Sequence, residues 1–162
     1  MKYVNHKEMN NKPIRGFASI GLQSPKQKAN VGCIIRAAGN FGVKLVVIES
    51  PRLGCYTKHA ANTMQAHKHY APTIRTNSLI ASAPASAELV AVELIDSAVS
   101  LPEFQHPENA FYLFGPEDGS LDKKTAAACK YKVFIPTFHC MNLAATVHVV
   151  LYDRAVKRGF QV

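Results

Sequence analysis

The chain has 162 residues, 48% of them hydrophobic, and a formal net charge of +8, which suits a packed core and one domain over 1–162. It has no run of about 18 apolar residues, so no spanning helix is expected, and the N-terminal MKYVNHKEMNNKPIRG lacks the apolar centre of a signal peptide. Cys33, Cys55, Cys129 and Cys140 show no C-x-x-C pairing, so they read as reduced thiols of a cytoplasmic protein, with no disulfide framework or metal cage.

The charge is uneven. Residues 1–76 carry 12 Lys/Arg against Glu8 and Glu49, a net of +10; residues 77–162 carry 7 against 9, a net of −2. Such a basic half favours a polyanion, nucleic acid first, over the plainer reading of solubility.

Residues 1–13 are polar and expected to be flexible. Gly16–Leu22 reads as a first strand, and Gln23–Ala29 as a loop with Pro25 and two lysines. Asn30–Gly42 (NVGCIIRAAGNFG) reads as a helix. Asn30 suits an N-cap. Val31, Ile34, Ile35 and Ala38 fall on one buried stripe, and Gly42 fits the stop. Arg36 interrupts the small and apolar residues. Its bland reading is a solvated arginine on the outer face. The sharper one is a guanidinium beside the preceding loop, gripping phosphate or sugar oxygens with help from Lys26 and Lys28.

Lys44–Glu49 reads as a second strand and Lys58–His69 as a weak helix with His59, His67 and His69. The last two have no acidic or sulfur partner and helical geometry turns them apart, so no metal is expected. Pro72–Thr76 is a short strand, Ser78–Ala83 a short helix, Glu88–Ile95 a fourth strand and Asp96–Asn109 a polar connector. Phe111–Phe114 is the fifth strand, Asp122–Cys129 a helix, and Lys132–Ile135 the sixth strand. Met141–Lys157 closes the chain as a helix with Leu143, Val147, Val150 and Leu151 on one stripe. The alternation argues an α/β domain, a mostly parallel six-stranded sheet with helices on both faces.

The fifth and sixth strands both end in loops of small and polar residues, where open α/β sheets bind ligands. Gly115, Gly119 and Pro136 let the backbone turn sharply there. Several chemistries are absent. There is no phosphate-binding GxxxxGK[ST], no GxGxxG after the first strand and no GxSxG elbow. Glu117 and Asp118 are adjacent, so they do not converge on one substrate atom as paired glycosidase carboxylates do.

Three segments together resemble a known family. NVGCIIRAAGNFG, FGPEDGSL and IPTFHCMNLAATVHVVLYD are similar, in order and spacing, to the three motifs of the SpoU/TrmH-type RNA methyltransferases, of the trefoil-knotted SPOUT class. The resemblance covers about residues 15–157. It implies a C-terminal trefoil knot, S-adenosylmethionine held bent by three knot loops, methyl transfer to a ribose 2′-hydroxyl of tRNA or rRNA, and a homodimer. It implies catalytic roles for Arg36 and for Asn30, the motif-one arginine and asparagine. It implies cofactor contacts at Gly115, Glu117 and Gly119, at Ile135, and at Cys140, Met141 and Asn142, with Val92 as a further contact. Cys140 and Ala144 stand where the family usually has serine, and the loop Pro136–His139 is short. Arg15, Lys26, Lys28 and Arg36, with Arg52 and Lys58, are expected to meet the RNA backbone. An arginine holds its proton to about pH 12, so Arg36 suits orienting the target better than abstracting a proton. No segment reads as an added RNA-binding domain, which resembles the small members that modify the tRNA wobble ribose. A D-loop guanosine and an rRNA site are alternatives. Two other readings stand beside this: a knotted RNA-binding module without turnover, and methylation of a base nitrogen.

Overall fold

The computed structural model describes residues 15–50 and 66–159. The expected flexible segment 1–13, together with Arg52, Cys55, Lys58 and His59, lies outside them. The strands are β1 (Phe17–Gln23), β2 (Leu45–Glu49), β3 (Thr73–Thr76), β4 (Glu88–Val92), β5 (Val99–Ser100), β6 (Asn109–Phe114) and β7 (Tyr131–Phe134). They form one sheet in the order β3-β2-β1-β6-β4-β7-β5, parallel at every pairing. The helices are α1 (Lys28–Asn40), α2 (Ala66–His69), α3 (Lys123–Ala128) and α4 (Leu143–Arg158).

A parallel sheet is covered on both faces, so its central strands are apolar on both. Ile20 and Leu22 of β1 and Tyr112 and Phe114 of β6 meet Val31, Ile34 and Ile35 of α1, Ala66 of α2 and Val147, Val150 and Leu151 of α4. The alternate residues Phe111 and Leu113 face a smaller cluster with Leu79, Leu121, Cys129 and, from α3, Ala126. Both predicted helical stripes are thus buried, and helices cover both faces.

The sheet has seven strands rather than the expected six. The extra one, β5, lies inside the segment read as a polar connector and pairs Val99 with Val133 and Ser100 with Phe134. Two residues carry no periodicity, so only the neighbouring strand defines it. The short helix expected at Ser78–Ala83 is a 3-10 turn at Ile80–Ser82, and β4 ends at Val92 rather than Ile95. Asn30 is not an N-cap. The helix begins at Lys28 with Gln27 at the cap position and no side-chain cap of its own, because a carboxylate from a distant loop fixes the chain at Lys26 and Gln27 instead.

The last elements position the site. After β6 the chain passes over β4 to reach β7, and α4 then returns across the sheet to pack on α1. Asn142 caps α4, accepting from the backbone N–H of Ala144 and Ala145 at 2.9 and 3.3 Å. Gly159 ends it in a left-handed conformation at φ 96°, which costs glycine little.

Candidate active site

The strands β1, β6, β4 and β7 are consecutive in the parallel sheet, so their following loops emerge along one edge. Three of these loops enclose a cavity of about 520 Å³. Val92, Glu93 and Leu94 line it from β4. Gly115, Pro116, Glu117 and Gly119 line it from β6, and Ile135–Met141 from β7. Leu143 and Thr146 of α4 complete the wall.

A relay of hydrogen bonds holds these loops together. The Glu117 carboxylate accepts from the backbone N–H of Lys26 at 2.7 Å and of Gln27 at 3.1 Å, and from the Asn30 amide at 2.8 Å. The Asn30 carbonyl oxygen accepts in turn from the Asn142 amide at 3.0 Å, and Asn142 caps α4. One carboxylate and two amides thus join the loop after β1, the loop after β6 and the start of α4. Burial works to raise the Glu117 carboxyl, but the hydrogen bonds from Lys26, Asn30 and Gln27 outweigh it and hold the group below the ordinary carboxylate value. Glu93 makes a second link, accepting from the backbone N–H of Leu94 at 3.0 Å and of Leu121 at 2.9 Å. Gly115 has to be glycine for the loop to close: a Cβ there would meet the backbone of Leu121 and Ser120 at 2.7 and 2.8 Å.

The residues singled out from the sequence fall into three groups. Val92, Gly115, Glu117, Gly119, Ile135, Cys140 and Met141 line the cavity. Asn30, buried, and Asn142, exposed, stand just behind and brace it. Arg36 is exposed on α1 and is not among the lining residues. Of the expected RNA contacts, Arg15 is exposed and pairs with Glu108 at 3.0 Å, the Lys26 ammonium pairs with Asp118, and Lys28 is exposed at the first turn of α1.

Sequence reasoning missed Glu93, Leu94 and Phe138. Glu93 was read as one more residue of the fourth strand; its role depends on a partner at Leu121. Phe138 was passed over as loop, though its ring is wholly exposed at 102% on the cavity rim. The lining also has a chemical character. Among the described residues no Lys or Arg lines the cavity, while Glu93 and Glu117 do. Such a site disfavours a phosphate-rich nucleotide and suits a small ligand with an apolar body and cationic groups. Among the described residues, no group of three or more His, Cys, Asp or Glu side chains is placed to hold a metal ion.

Comparison with known proteins agrees with this geometry. Residues 18–152 match the family model described as the SpoU rRNA Methylase family. No curated protein sequence matches the chain. Among solved structures, the chain is similar to the SpoU methyltransferase AviRb from Streptomyces viridochromogenes, at a TM-score of 0.75 and 19% identity, over 98% of this chain and 65% of that one. The chain therefore spans slightly less than two thirds of that relative. It is also similar to the TrmH/SpoU tRNA modifying enzyme of A. aeolicus, at a TM-score of 0.78 and 15% identity, over 93% and 78% of the two chains. A third similar structure concerns the 2-OH methylation of C/U34 on tRNA; it shares 22% identity at a TM-score of 0.71, over 88% of this chain and 97% of that one. With the family match spanning most of its length and the motif loops gathered at one edge, the chain belongs to the SpoU rRNA methylase family.

Proposed function

We propose that this protein transfers a methyl group from S-adenosylmethionine to a ribose 2′-hydroxyl of RNA, with the tRNA wobble ribose favoured over an rRNA site. The observation that carries this is the convergence of motif residues from separate loops on a cavity that bears two carboxylates and, among the described residues, no lysine or arginine. The donor set fits the cofactor, which is small, has an apolar adenine and carries an ammonium and a sulfonium. Val92, Ile135, Met141 and Leu143 offer apolar walls, and Glu93 and Glu117 offer negative charge. Bound there, the cofactor supplies an activated methyl group. AviRb has also been solved in complex with AdoMet; the similarity to a tRNA modifying enzyme favours an RNA acceptor, and the similarity to the structure concerned with 2-OH methylation of C/U34 on tRNA favours its ribose.

The protein's part is alignment and electrostatics. Alignment of reacting groups lowers a barrier by roughly 7–11 kcal/mol. Glu117, Asn30 and Asn142 keep the loops in register, so the cavity is shaped before ligand arrives. Arg36 orients the target phosphate and 2′-oxygen, a task for a planar fork that stays charged. Cys140 and Ala144 remove two hydroxyls expected of the family while leaving the backbone N–H and C=O groups of the loop in place. Arg15, Lys26 and Lys28 meet the RNA backbone. The working unit is a cytoplasmic homodimer: α4 exposes Val149, Tyr152 and Val156, spaced along one helical face as a second copy would require. The return of α4 onto α1 after the crossover to β7 supports the trefoil knot.

Calorimetry with S-adenosylhomocysteine and methyl transfer to bulk tRNA test the reading, with digestion of the product to nucleosides. The expected product is a 2′-O-methyl nucleoside. Arg36→Ala should lower turnover by more than about 100-fold and leave cofactor affinity unchanged. A base-methylated product would overturn the ribose assignment. RNA binding without turnover would favour the non-catalytic module.

A further inference from the structure

We propose that Phe138 is a stacking platform for an unpaired nucleobase of the RNA, the base of the nucleotide whose sugar is presented to the cavity or its immediate neighbour; this rests on the RNA reading above. Phe138 sits in the loop after β7 that lines the cavity, and at 102% exposure its side chain is uncovered by the described residues. Leu94, 74% exposed, stands on the same rim from the loop after β4. Apolar side chains left fully in water at the mouth of a cavity mark a contact surface. The turn is also built to display the ring: Thr137 Oγ1 donates to the carbonyl of His139 at 2.8 Å, closing the backbone beneath Phe138.

The position selects the partner. A ribose brought to the cavity carries its base within a few bonds of the rim, where Phe138 and Leu94 are large exposed apolar side chains. Unpaired bases of RNA are held by stacking on aromatic side chains, which serves any base because each has a π-face. A second copy of the chain has a different candidate surface, the stripe on α4 with Val149, Tyr152 and Val156. The cofactor is better served by the walls within, since a ring wholly in solvent covers little of them. Phe138 is therefore a positioning residue that prefers looped over paired RNA.

The test uses the full chain and two fluorescein-labelled RNAs, a stem with a seven-nucleotide unpaired loop and a fully paired duplex of matched length. Binding is read by anisotropy, without turnover. Phe138→Ala should weaken binding of the stem-loop by about tenfold and leave duplex binding and the Kd for S-adenosylhomocysteine within about twofold. Phe138→Trp should restore stem-loop binding. A stem-loop containing 2-aminopurine should show quenching with the wild type and less with Phe138→Ala. Equal effects on both RNAs, or no effect on either, would overturn the proposal. So would loss of cofactor affinity, which would put the ring on the adenine, or a change in oligomeric state by sedimentation, which would put it between copies. Failure of the methyl-transfer reading shows separately, as absence of labelled product from wild-type protein that binds the stem-loop normally.

Discussion

The two ends of the sheet use polar groups in opposite ways. At the carboxyl end, Glu117, Asn30, Asn142 and Glu93 spend their hydrogen bonds on loop backbone and on one another, and leave a cavity between them. At the amino end the polar groups close on themselves. Arg154, 4% exposed, donates to the carbonyls of Pro107 and Glu108 at 2.7 Å and of Phe17 at 3.1 Å, and to the Tyr112 hydroxyl at 3.3 Å. Tyr112 bonds His106 Nδ1 at 2.7 Å, and His106 Nε2 bonds Asp153 at 2.8 Å, which also takes Lys157 at 2.8 Å. Burial pushes the Tyr112 hydroxyl up to about 12, so it stays protonated and donates to the imidazole. The same helix serves both ends: α4 starts at the Asn142 cap beside the cavity and finishes in the buried network. A polar cluster with all partners internal holds structure, whereas one that braces loops around empty space prepares a site.

Removing a brace from each end separates these roles, and the largest effect belongs to the closed end. Arg154→Ala takes a charged donor from the carbonyls of Pro107, Glu108 and Phe17 and from the Tyr112 hydroxyl, which keeps only His106, so urea unfolding should fall by about 3–5 kcal/mol. The fraction that stays folded should bind S-adenosylhomocysteine normally. Glu117→Ala at the open end should show the reverse emphasis. It takes the acceptor from three donors and should cost about 1–3 kcal/mol of stability, while cofactor affinity falls by about tenfold or more. If Arg154→Ala lowered affinity and Glu117→Ala did not, the division between the two ends would be wrong.

The two ends also differ in their response to acid. Burial, with the charges of Arg154 and Lys157, holds His106 below its ordinary value of 6.5 against the pull of Asp153. The unfolded chain then takes up a proton that the native state refuses, so stability falls as the pH drops below 6.5. Glu117 is also held low, below 4.5. Its contribution is present above 4.5 and is lost only as the pH falls through the native value. Urea midpoints between pH 7.5 and pH 5 should therefore report the closed end and not Glu117, with His67 of α2, held below 6.5 by burial and by the charges of Lys68 and His69, adding in the same direction. His106→Gln should lower stability overall and flatten that slope, and an unchanged slope would remove His106 as its source.

Local chemistry made one of these regions far more legible than the other. The apolar stripes of α1 and α4 and the glycines of the loop after β6 act over a few residues, so the longer strands, the two long helices and the turns at Gly115, Gly119 and Pro136 could be read directly, whereas the other cavity residues came only through the family resemblance. What was missed depends on long-range partners. Asn30 looked like a cap because nothing nearby announces that Glu117 binds the chain at Lys26 and Gln27. The edge strand β5 exists only through β7. The closed network was invisible: His106 sat in a polar connector, and Arg154 fell inside the closing helix with nothing local to mark it, 42 residues from its Tyr112 partner. Phe138 was overlooked because hydrophobicity predicts burial, and its exposure is a property of the folded loop.

The smallest effect gives the finest discrimination. Two exposed lysine–carboxylate pairs flank the sheet, Lys26–Asp118 at the carboxyl edge and Lys130–Glu88 at the amino edge, with lysine side chains 42% and 61% exposed. Solvated pairs of this kind contribute about 0–1 kcal/mol, so Lys26→Ala and Lys130→Ala should each leave unfolding within about 0.5 kcal/mol of the parent. Their effects on RNA should diverge. A lysine that exchanges its carboxylate for a phosphate releases a counterion, and its loss lowers the slope of log K against log salt by about one. Lys26→Ala should show that change and Lys130→Ala should not, because only the carboxyl edge presents its charges around the cavity. Equal slopes in the two variants would mean that RNA reads the overall basic field of the molecule and not the edge where the loops converge.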